Sequence, residues 1–496
     1  MSLISRNVVY WFGHAPLEAE HMEFDRRGLS LQIVCSGEIP DFKLARAAVF
    51  CAKPPFVPST SRQLNLVESA LSHGLLVYLL AGDDATQAYI NGELSDKARA
   101  GQLKYLIRSR TGEMPAYECA EVIARHSAGP YANQSLEIRL PPDVVLTSEQ
   151  SFLLERAFSD CALISLKRLS GGRSADAYVV QATLTASEVG PRPLPFFAKL
   201  DDTDKILAEQ SCYELYATHH IPWYLRPNLD PRRCILGLEK GILVGSFVEQ
   251  SESLWEAVLK GRGSRYIHAL FEDTLMGWRS QAYRREPVTG LLANRLQEVF
   301  KWGKVKSEHV HRAKDFGIVL EPKALWESLL NLPQQKWREA PMHGDMHAEN
   351  VRVRNNDAII IDLAKATTGP LCADVASLEV WLAFQVPSNL EDIPERDVWT
   401  PMVKDLYAPI NVARPPSLAT TDVGLDWLRS CVRQTRMISG AICECESEYA
   451  TVVALYLLRR ACYFDGSDED AYRRAFAYFL GSQLIQSLAI TTIETV

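Results

Sequence analysis

The feature that most constrains this chain is a polar loop followed by a short predicted hairpin. The loop reads His-Gly-Asp-Met-His-Ala-Glu-Asn, and it places Asp345 five residues before Asn350. Valines at alternate positions, an Asn-Asn-Asp turn and a β-branched run then predict two strands, and Asp362 stands at the far end of the second. The spacing therefore places three oxygen-bearing side chains around one point.

These three residue types suit phosphoryl transfer. That reaction needs a carboxylate to orient the attacking hydroxyl, and oxygen ligands to hold Mg²⁺ against the phosphates. Asp345 suits the first role, and Asn350 and Asp362 suit the second. An isolated His-Gly-Asp is more often a plain turn with buried histidines. The full order, which also includes Asp374, favours a functional site.

The loop resembles a known enzyme family when its motifs are taken together. His343-Gly344-Asp345-x-His347-x-x-Asn350, Ile361-Asp362, Gly369-Pro370 and Asp374 are similar to the aminoglycoside phosphotransferase and choline kinase branch of the protein-kinase-like superfamily. The resemblance implies an α+β bilobal kinase-like domain that uses ATP and Mg²⁺ to phosphorylate a hydroxyl. It also implies that Asp345 is catalytic, that Asn350 and Asp362 hold the metal, and that Asp374 holds the loop.

The segment after residue 150 supplies candidate nucleotide-binding groups. A Gly-containing turn separates two β-rich runs, and its backbone N–H groups could approach phosphate, although Gly-Gly is more often a simple hairpin turn. The resemblance adds a lysine on the next strand, a glutamate on the following helix (Glu209 in preference to Glu214) and a hinge backbone that reads adenine. The predicted nucleotide-binding residues are Gly171, Gly172, Arg173, Ser174, Lys199, Glu209, Phe247 and Val248.

Two features favour a small-molecule acceptor over a peptide. The interval between Asp362 and Gly369 is too short for the long activation segment of protein kinases. Gly344 stands where those kinases carry an arginine that pairs with a phosphorylated activation loop. The sequence leaves open which hydroxyl compound is the acceptor and whether the nucleotide is ATP or GTP.

The first 130 residues predict a separate α/β domain. Strand-like runs lie at 8–12, 29–34, 47–50 and 75–80, with a weaker one at 104–107, and helical spacing appears at 64–72 and 116–125. Such alternation predicts a parallel sheet with helices on both faces. The layout resembles a receiver domain without its phosphoacceptor acids, which implies a docking or dimerisation module for a protein partner. An unrelated α/β domain is the alternative.

Composition and domain size complete the prediction. The net charge of -8 and pI of about 5.8 argue against a nucleic-acid partner. The eleven scattered cysteines indicate reduced thiols in the cytoplasm, and Cys443 and Cys445 are expected to be helix-borne thiols, not zinc ligands. No signal-peptide core and no membrane-spanning run is found in the sequence. The predicted segments are a receiver-like domain at 1–130, a linker at 131–150, an N-lobe at 151–250 and a helical C-lobe at 251–496.

A non-enzymatic role is the main rival prediction. A kinase fold that binds nucleotide without turnover could serve as a signalling adaptor, with the N-terminal module recruiting a partner. Retention of Lys199, Asp345, Asn350 and Asp362 counts against it, since such a protein has no physical need for all four. A kinase acting on a protein side chain is a third alternative.

Overall fold

The structure is a computed structural model of the chain, which divides into two compact units. It describes residues 7–35, 40, 45–51, 61–72, 75–81, 103–107, 114–125, 133–169, 176–185, 190–236, 240–418 and 424–494. The first unit comprises Met1–Gln210 and Asn228–Glu249, and the second comprises Ser211–Pro227 and Gln250–Val496.

The N-terminal region of the first unit forms a five-stranded parallel sheet. Its strand order is β2-β1-β3-β4-β5, and every neighbouring pair is parallel. This is the order of flavodoxin-like doubly wound folds. The predicted α/β class of this region is therefore confirmed. The elements are β1 Val8–Gly13, α1 Glu18–Asp25, β2 Ser30–Ile33, β3 Ala45–Cys51, α2 Ser61–Ser72, β4 Leu76–Ala81, β5 Leu103–Ile107 and α3 Met114–Arg125.

Helices cover both faces of this sheet. Successive side chains of a strand point to opposite faces, so each strand contributes to two cores. On β1, Tyr10 and Phe12 pack in a buried cluster with Val67 of α2. Trp11 faces the other way and packs in a second cluster with Phe24 of α1 and residues of α3. Two separate cores on one sheet are the arrangement that strand–helix alternation predicts.

A second sheet in the first unit is mostly antiparallel and six-stranded. Its order is β10-β11-β9-β8-β7-β6, with only the β6–β7 pair parallel. One face buries a cluster that includes Leu153 and Leu154 of helix α4. The elements are β6 Glu137–Arg139, α4 Ser148–Ala157, β7 Cys161–Arg168, β8 Asp176–Leu184, β9 Phe196–Asp202, α5 Thr203–Cys212, β10 Ile235–Leu236 and β11 Lys240–Ser246.

The second unit is mainly helical, with short strand pairs. A π-helical turn at Tyr213–Ala217 follows α5, and another occurs at Ala269–Thr274. The strands are β12 Glu252–Ser253, β13 Val288–Gly290, β14 Gln335–Trp337, β15 Glu339–Met342, β16 Val351–Arg354, β17 Asp357–Ile360 and β18 Thr367–Pro370. The helices are α6 Leu254–Leu259, α7 Gly263–His268, α8 Met276–Ala282, α9 Leu292–Arg295, α10 Ser307–Ala313, α11 Pro322–Leu330, α12 Ala373–Phe384, α13 Arg396–Leu406, α14 Asp426–Ile442, α15 Glu446–Arg460 and α16 Asp468–Glu494.

The polar loop of the sequence lies between paired strands of the second unit. Strand β15 pairs with β18 before the loop, and the β16–β17 hairpin follows it. The hairpin was predicted from the valine alternation and the turn at Asn355, whose φ is +55°. Across the part of the chain that the structure describes, every helix falls short of the length and apolar character needed to cross a bilayer.

Candidate active site

Helix α12 fixes the backbone of the polar loop. The Asp374 carboxylate accepts hydrogen bonds from the His343 N–H at 2.6 Å and the Gly344 N–H at 3.2 Å. One turn later, Ser377 donates its hydroxyl to Met346 O at 2.8 Å. Burial raises the pKa of Asp374, although the two N–H groups and His343 favour its charged form. The contact that the sequence predicted for Asp374 is present.

Gly344 allows the loop to pass close to a neighbouring segment. Its φ is +75°, a left-handed conformation that glycine adopts without strain. A Cβ at this position would lie 2.3 Å from Lys365 O. The loop is therefore compatible with glycine only, and this is an independent physical reason for the His-Gly-Asp sequence.

His343 joins the loop to the end of the hairpin. It is fully buried, its Nε2 donates to Ile361 O at 2.9 Å, and its Nδ1 accepts the Asp345 N–H at 3.3 Å. These two bonds require the tautomer with the proton on Nε2. His343 is thus a fixed spacer between the backbone at Asp345 and the residue before Asp362.

The hairpin brings Asn350 and Asp362 to the same end of one strand pair. Strands β16 and β17 pair Val351 with Ile360, and the Ile361 N–H donates to Asn350 O at 2.9 Å. Asn350 is buried, and its Nδ2 donates to Asp345 O at 3.0 Å, so its Oδ1 is the atom that a metal ion could use. Asp362 is exposed and has a left-handed φ of +58°.

An arginine that the sequence did not single out pairs with the candidate catalytic carboxylate. Arg459 Nη2 donates to Asp345 Oδ1 at 2.9 Å, and the Asp345 side chain keeps 40% of its surface exposed. Burial alone would lower the pKa of Arg459, but Tyr463, Tyr456 and Asp345 hold it above its usual value. The one sequence clue was the Arg459-Arg460 pair that ends the long apolar run of α15.

His347 is an uncharged residue of the same polar loop as Asp345. Its ring stacks on Trp381 with the centroids 5.5 Å apart and an interplanar angle of 19°. Burial is the main cause that lowers the pKa of His347 to about 4, against the opposing charges of Asp345 and Asp362. A neutral imidazole at ordinary pH therefore lines this part of the loop.

In the first unit, the predicted lysine and glutamate are in contact. Lys199 on β9 donates from Nζ to Glu209 Oε2 on α5 at 2.7 Å, and both side chains are largely buried. The alternative Glu214 is exposed on the π-helical turn. A buried ion pair of this kind holds the ammonium in one position, which is the property that a phosphate-binding lysine requires.

For the other predicted nucleotide-binding residues, the structure either gives only a position or does not describe them. Gly171, Gly172, Arg173 and Ser174 lie outside the described residues. Phe247 and Val248 follow β11 in an irregular segment, where the Phe247 N–H donates to Pro195 O at 3.4 Å. The structure thus places these two residues at the strand exit that the sequence indicated, and their binding role stays a prediction.

The donor set at the hairpin end fits magnesium. Mg²⁺ prefers a few hard oxygen ligands and keeps several water or phosphate ligands. The Oδ1 of Asn350 and the exposed carboxylate of Asp362 are such oxygens, and they belong to residues that flank one paired end of the hairpin. The chemistry of these two side chains therefore suits this metal better than a thiophilic one.

Comparison with known proteins identifies the domain that carries these groups. Residues 165–392 match the model of the phosphotransferase enzyme family. This stretch, slightly less than half of the chain, is therefore similar to this family, as the sequence motifs predicted. A search among curated proteins found no match.

The chain is similar to solved structures of an amicoumacin kinase, a choline kinase and an aminoglycoside phosphotransferase. Amicoumacin kinase in complex with AMP-PNP, Ca²⁺ and Ami is 13% identical, with 66% of this chain and 88% of that chain covered and a TM-score of 0.33. Choline kinase from Cryptosporidium parvum Iowa II is 10% identical, with 67% and 92% covered and a TM-score of 0.32. A thermostable mutant of aminoglycoside phosphotransferase APH(4)-Ia is 15% identical, with 65% and 94% covered and a TM-score of 0.28.

Proposed function

We propose that the protein is an ATP- and Mg²⁺-dependent phosphotransferase that moves the γ-phosphate to a hydroxyl of a small molecule. The observation that carries the proposal is the rigid loop at Asp345. The Asp374 carboxylate accepts two hydrogen bonds from the backbone of this loop and His343 Nδ1 accepts a third, while the Asp345 carboxylate keeps access to solvent. Rigid backbone with an accessible carboxylate is what a residue that orients a nucleophile requires.

In the proposed mechanism each polar group has a separate task. Asp345 orients the acceptor hydroxyl and accepts its proton as the new bond to phosphorus forms. Lys199, held by Glu209, binds the nucleotide phosphates. Asn350 and Asp362 would hold Mg²⁺, which when bound neutralises charge on the phosphates.

The short connection after Asp362 supports a small-molecule acceptor. Only four residues separate Asp362 from strand β18, which begins at Thr367. A segment of this length cannot form the extended peptide platform of a regulated protein kinase. We propose that the kinase-like domain comprises residues 151–496, with the N-lobe at 151–250, and that the region at 1–130 is a separate module.

The test is nucleotide turnover with a panel of acceptors. The full chain with ATP and Mg²⁺ would be assayed for ADP release in the presence of amino sugars, neutral sugars, amino alcohols and hydroxy acids. The proposal predicts ADP release that depends on one of these acceptor classes. Thermal stabilisation by ATP, without turnover on any acceptor, would instead support the adaptor alternative.

A further inference from the structure

A group of two thiols and one carboxylate lies in the second unit and includes none of the residues assigned above. Cys372 immediately precedes α12, Cys443 immediately follows α14, and Glu448 lies in the first turn of α15. Their ligand atoms, the two Sγ atoms and a carboxylate oxygen, all lie within 4.8 Å of one another. Three elements that are distant in sequence therefore present three metal-binding atom types to one point.

The carboxylate is already oriented toward the thiols. Glu448 Oε2 accepts the backbone N–H of Glu444 at 2.7 Å, whereas Oε1 lies 3.4 Å from Cys372 Sγ. One oxygen is thus held by the turn between α14 and α15, and the other faces the sulfur atoms. Metal-ligating carboxylates commonly have a second partner of this kind, which fixes their orientation.

We propose that Cys372, Cys443 and Glu448 form a binding site for a thiophilic divalent cation of the zinc type. A solvent molecule would supply the fourth ligand, and Cys443, the least buried of the three, is the residue through which solvent would reach the ion. Two sulfurs and one oxygen form a donor set that selects zinc over magnesium or calcium. The proposal of this site does not depend on the proposed phosphotransferase reaction.

The observed spacing agrees with tetrahedral zinc. With Zn–S near 2.3 Å and Zn–O near 2.1 Å, ligands at a tetrahedral angle are separated by roughly 3.6 Å. The distance of 3.4 Å between Cys372 Sγ and Glu448 Oε1 is close to that value. The three ligand atoms all lie within 4.8 Å of one another, so each pair is at most about 1.2 Å wider than the tetrahedral spacing.

The electrostatics of the group also favour a cation. Cys372 and Glu448 are buried, and removal of a carboxylate from water is costly unless a positive charge compensates. Binding of the cation would displace the two thiol protons into solvent, and the two thiolates and the carboxylate would then surround the dication. The ion would thus give the buried carboxylate a cationic partner in direct contact, while the net charge of the group stays at -1.

The sequence could not assign this site, and one detail of the sequence prediction is wrong. Cys443 and Cys445 do not lie within a helix: Cys443 has an extended conformation after α14, and Cys445 precedes α15. The partners of Cys443 are instead Cys372 and Glu448, and the latter two are 76 positions apart. No spacing rule for zinc motifs covers such a separation.

The site would support the catalytic loop indirectly. Cys372 is two residues before Asp374, which accepts the N–H groups of His343 and Gly344. A metal bond at Cys372 would fix the start of α12 to the turn between α14 and α15. We therefore expect zinc to raise the thermal stability of the chain whether or not the protein turns over ATP.

The experiment is a measurement of bound zinc in the full-length reduced protein. The wild type, Cys443→Ser, Glu448→Gln and Cys445→Ser would be loaded with Zn²⁺, dialysed against metal-free buffer and analysed for metal content and thermal unfolding. Cys445→Ser is the matched control, since its thiol contacts Ser447 and lies outside the group. We expect stoichiometric zinc in the wild type and the control, and loss of zinc in the other two variants.

Several outcomes would overturn the proposal of a zinc site. One is a wild type without zinc, and another is Cys443→Ser with as much zinc as the wild type. Should Cys443→Ser fail to fold, Glu448→Gln and the wild type still decide the question. A wild-type chain that lacks zinc and yields a disulfide-linked peptide pair containing Cys372 and Cys443 after non-reducing digestion would identify a disulfide instead, and the metal site would be wrong. Co²⁺ loading gives a second readout, because thiolate ligation produces charge-transfer absorption that the control retains and Cys443→Ser loses.

Discussion

At the scale of single residues, the ion pair between Asp345 and Arg459 sets the orientation of the candidate catalytic carboxylate. A hydroxyl-orienting carboxylate has free rotation about its side-chain bonds unless a partner restricts it. Arg459 restricts it through one hydrogen bond from α15, and Asn350 restricts the backbone of the same residue. We infer that Arg459 is a positioning residue for the proposed reaction.

Replacement of Arg459 should lower kcat and leave nucleotide binding unchanged. We expect Arg459→Met to lose about tenfold in kcat, which corresponds to roughly 1.4 kcal/mol of transition-state stabilisation. The KM for ATP should stay constant, because the pair acts on Asp345 and not on the nucleotide. Steady-state kinetics with the acceptor found in the panel provide the measurement.

The conservative variant separates positioning from a merely structural role. Arg459→Lys keeps a cation within reach of Asp345 and should recover part of the lost kcat. An unchanged kcat in Arg459→Met, or a rise in the KM for ATP as large as the fall in kcat, would contradict the assignment.

A second prediction concerns the effect of Lys199 on nucleotide affinity. Loss of a charge-assisted hydrogen bond to phosphate costs about 1.5–3 kcal/mol, so Lys199→Met should weaken MgATP binding roughly 10- to 100-fold. Titration calorimetry with ATP and Mg²⁺ measures this Kd. Lys205→Met is the matched control. Lys205 lies on the same helix as Glu209, is 54% exposed, and pairs with Asp201 on the strand that carries Lys199. Equal Kd values for the two variants would refute the role of Lys199.

At the scale of elements, the polar loop is held by α12 and by a close approach at Gly344. Gly344→Ala would place a methyl group 2.3 Å from a backbone carbonyl oxygen, in a backbone conformation that alanine avoids. We expect this variant to lose several kcal/mol of stability or to displace the loop, with loss of ATP turnover. Chemical denaturation and the ADP assay measure the two effects.

Gly440 offers the control for that substitution. It lies within α14, and a Cβ there would meet no atom within 4 Å. Gly440→Ala should therefore leave turnover intact and raise the free energy of unfolding by up to about 1 kcal/mol, because alanine is the better helix former. Equal behaviour of the two variants would show that the close approach at Gly344 has no structural effect.

The elements also show what the sequence could and could not predict. The five parallel strands, α2 and α3 follow from β-rich runs and helical spacing, and the β16–β17 hairpin follows from alternation and turn residues. Helix α1 was not predicted, since its eight residues include few apolar ones. It is stabilised instead by Glu20, whose Oε2 accepts the Leu17 N–H at 2.8 Å, and by burial of Phe24.

Candidate site residues that are close in sequence were predictable, and those contributed by distant helices were not. Asp345, Asn350 and Asp362 stand in one short motif, so local spacing sufficed. Arg459 comes from α15, 114 positions after Asp345, and only the packing of the helical core brings it there. Periodicity identifies a buried helix face, but it does not reveal which polar side chain at the end of that helix meets a given loop.

At the scale of the whole molecule, the helical core of the second unit is built around a buried ion pair. Arg436 of α14 donates from Nη2 to Glu379 Oε1 of α12 at 2.9 Å, and both side chains are fully buried. Glu379 also accepts hydrogen bonds from Tyr449 at 2.8 Å and Thr435 at 2.7 Å. The same helix α12 thus anchors this core and holds the loop at its N-terminal end.

Loss of one partner of that pair should destabilise the fold strongly. Arg436→Met leaves the buried Glu379 carboxylate without its cation, which costs about 3–5 kcal/mol. Urea denaturation followed by tryptophan fluorescence measures the free energy of unfolding. Lys314→Met, which removes an exposed pair with Glu321, should change it by less than about 1 kcal/mol. A similarly small effect of Arg436→Met would contradict the account of the core.

The central claim is that Asp345 serves the chemical step of a phosphoryl transfer. The most direct measurement compares acceptor-dependent ADP formation by the wild type and Asp345→Asn, with MgATP affinity determined for both. We expect a fall of roughly 10²- to 10⁴-fold in kcat with MgATP affinity nearly unchanged, because general-base assistance is lost while the nucleotide ligands remain. Wild-type turnover in Asp345→Asn would refute this role of Asp345.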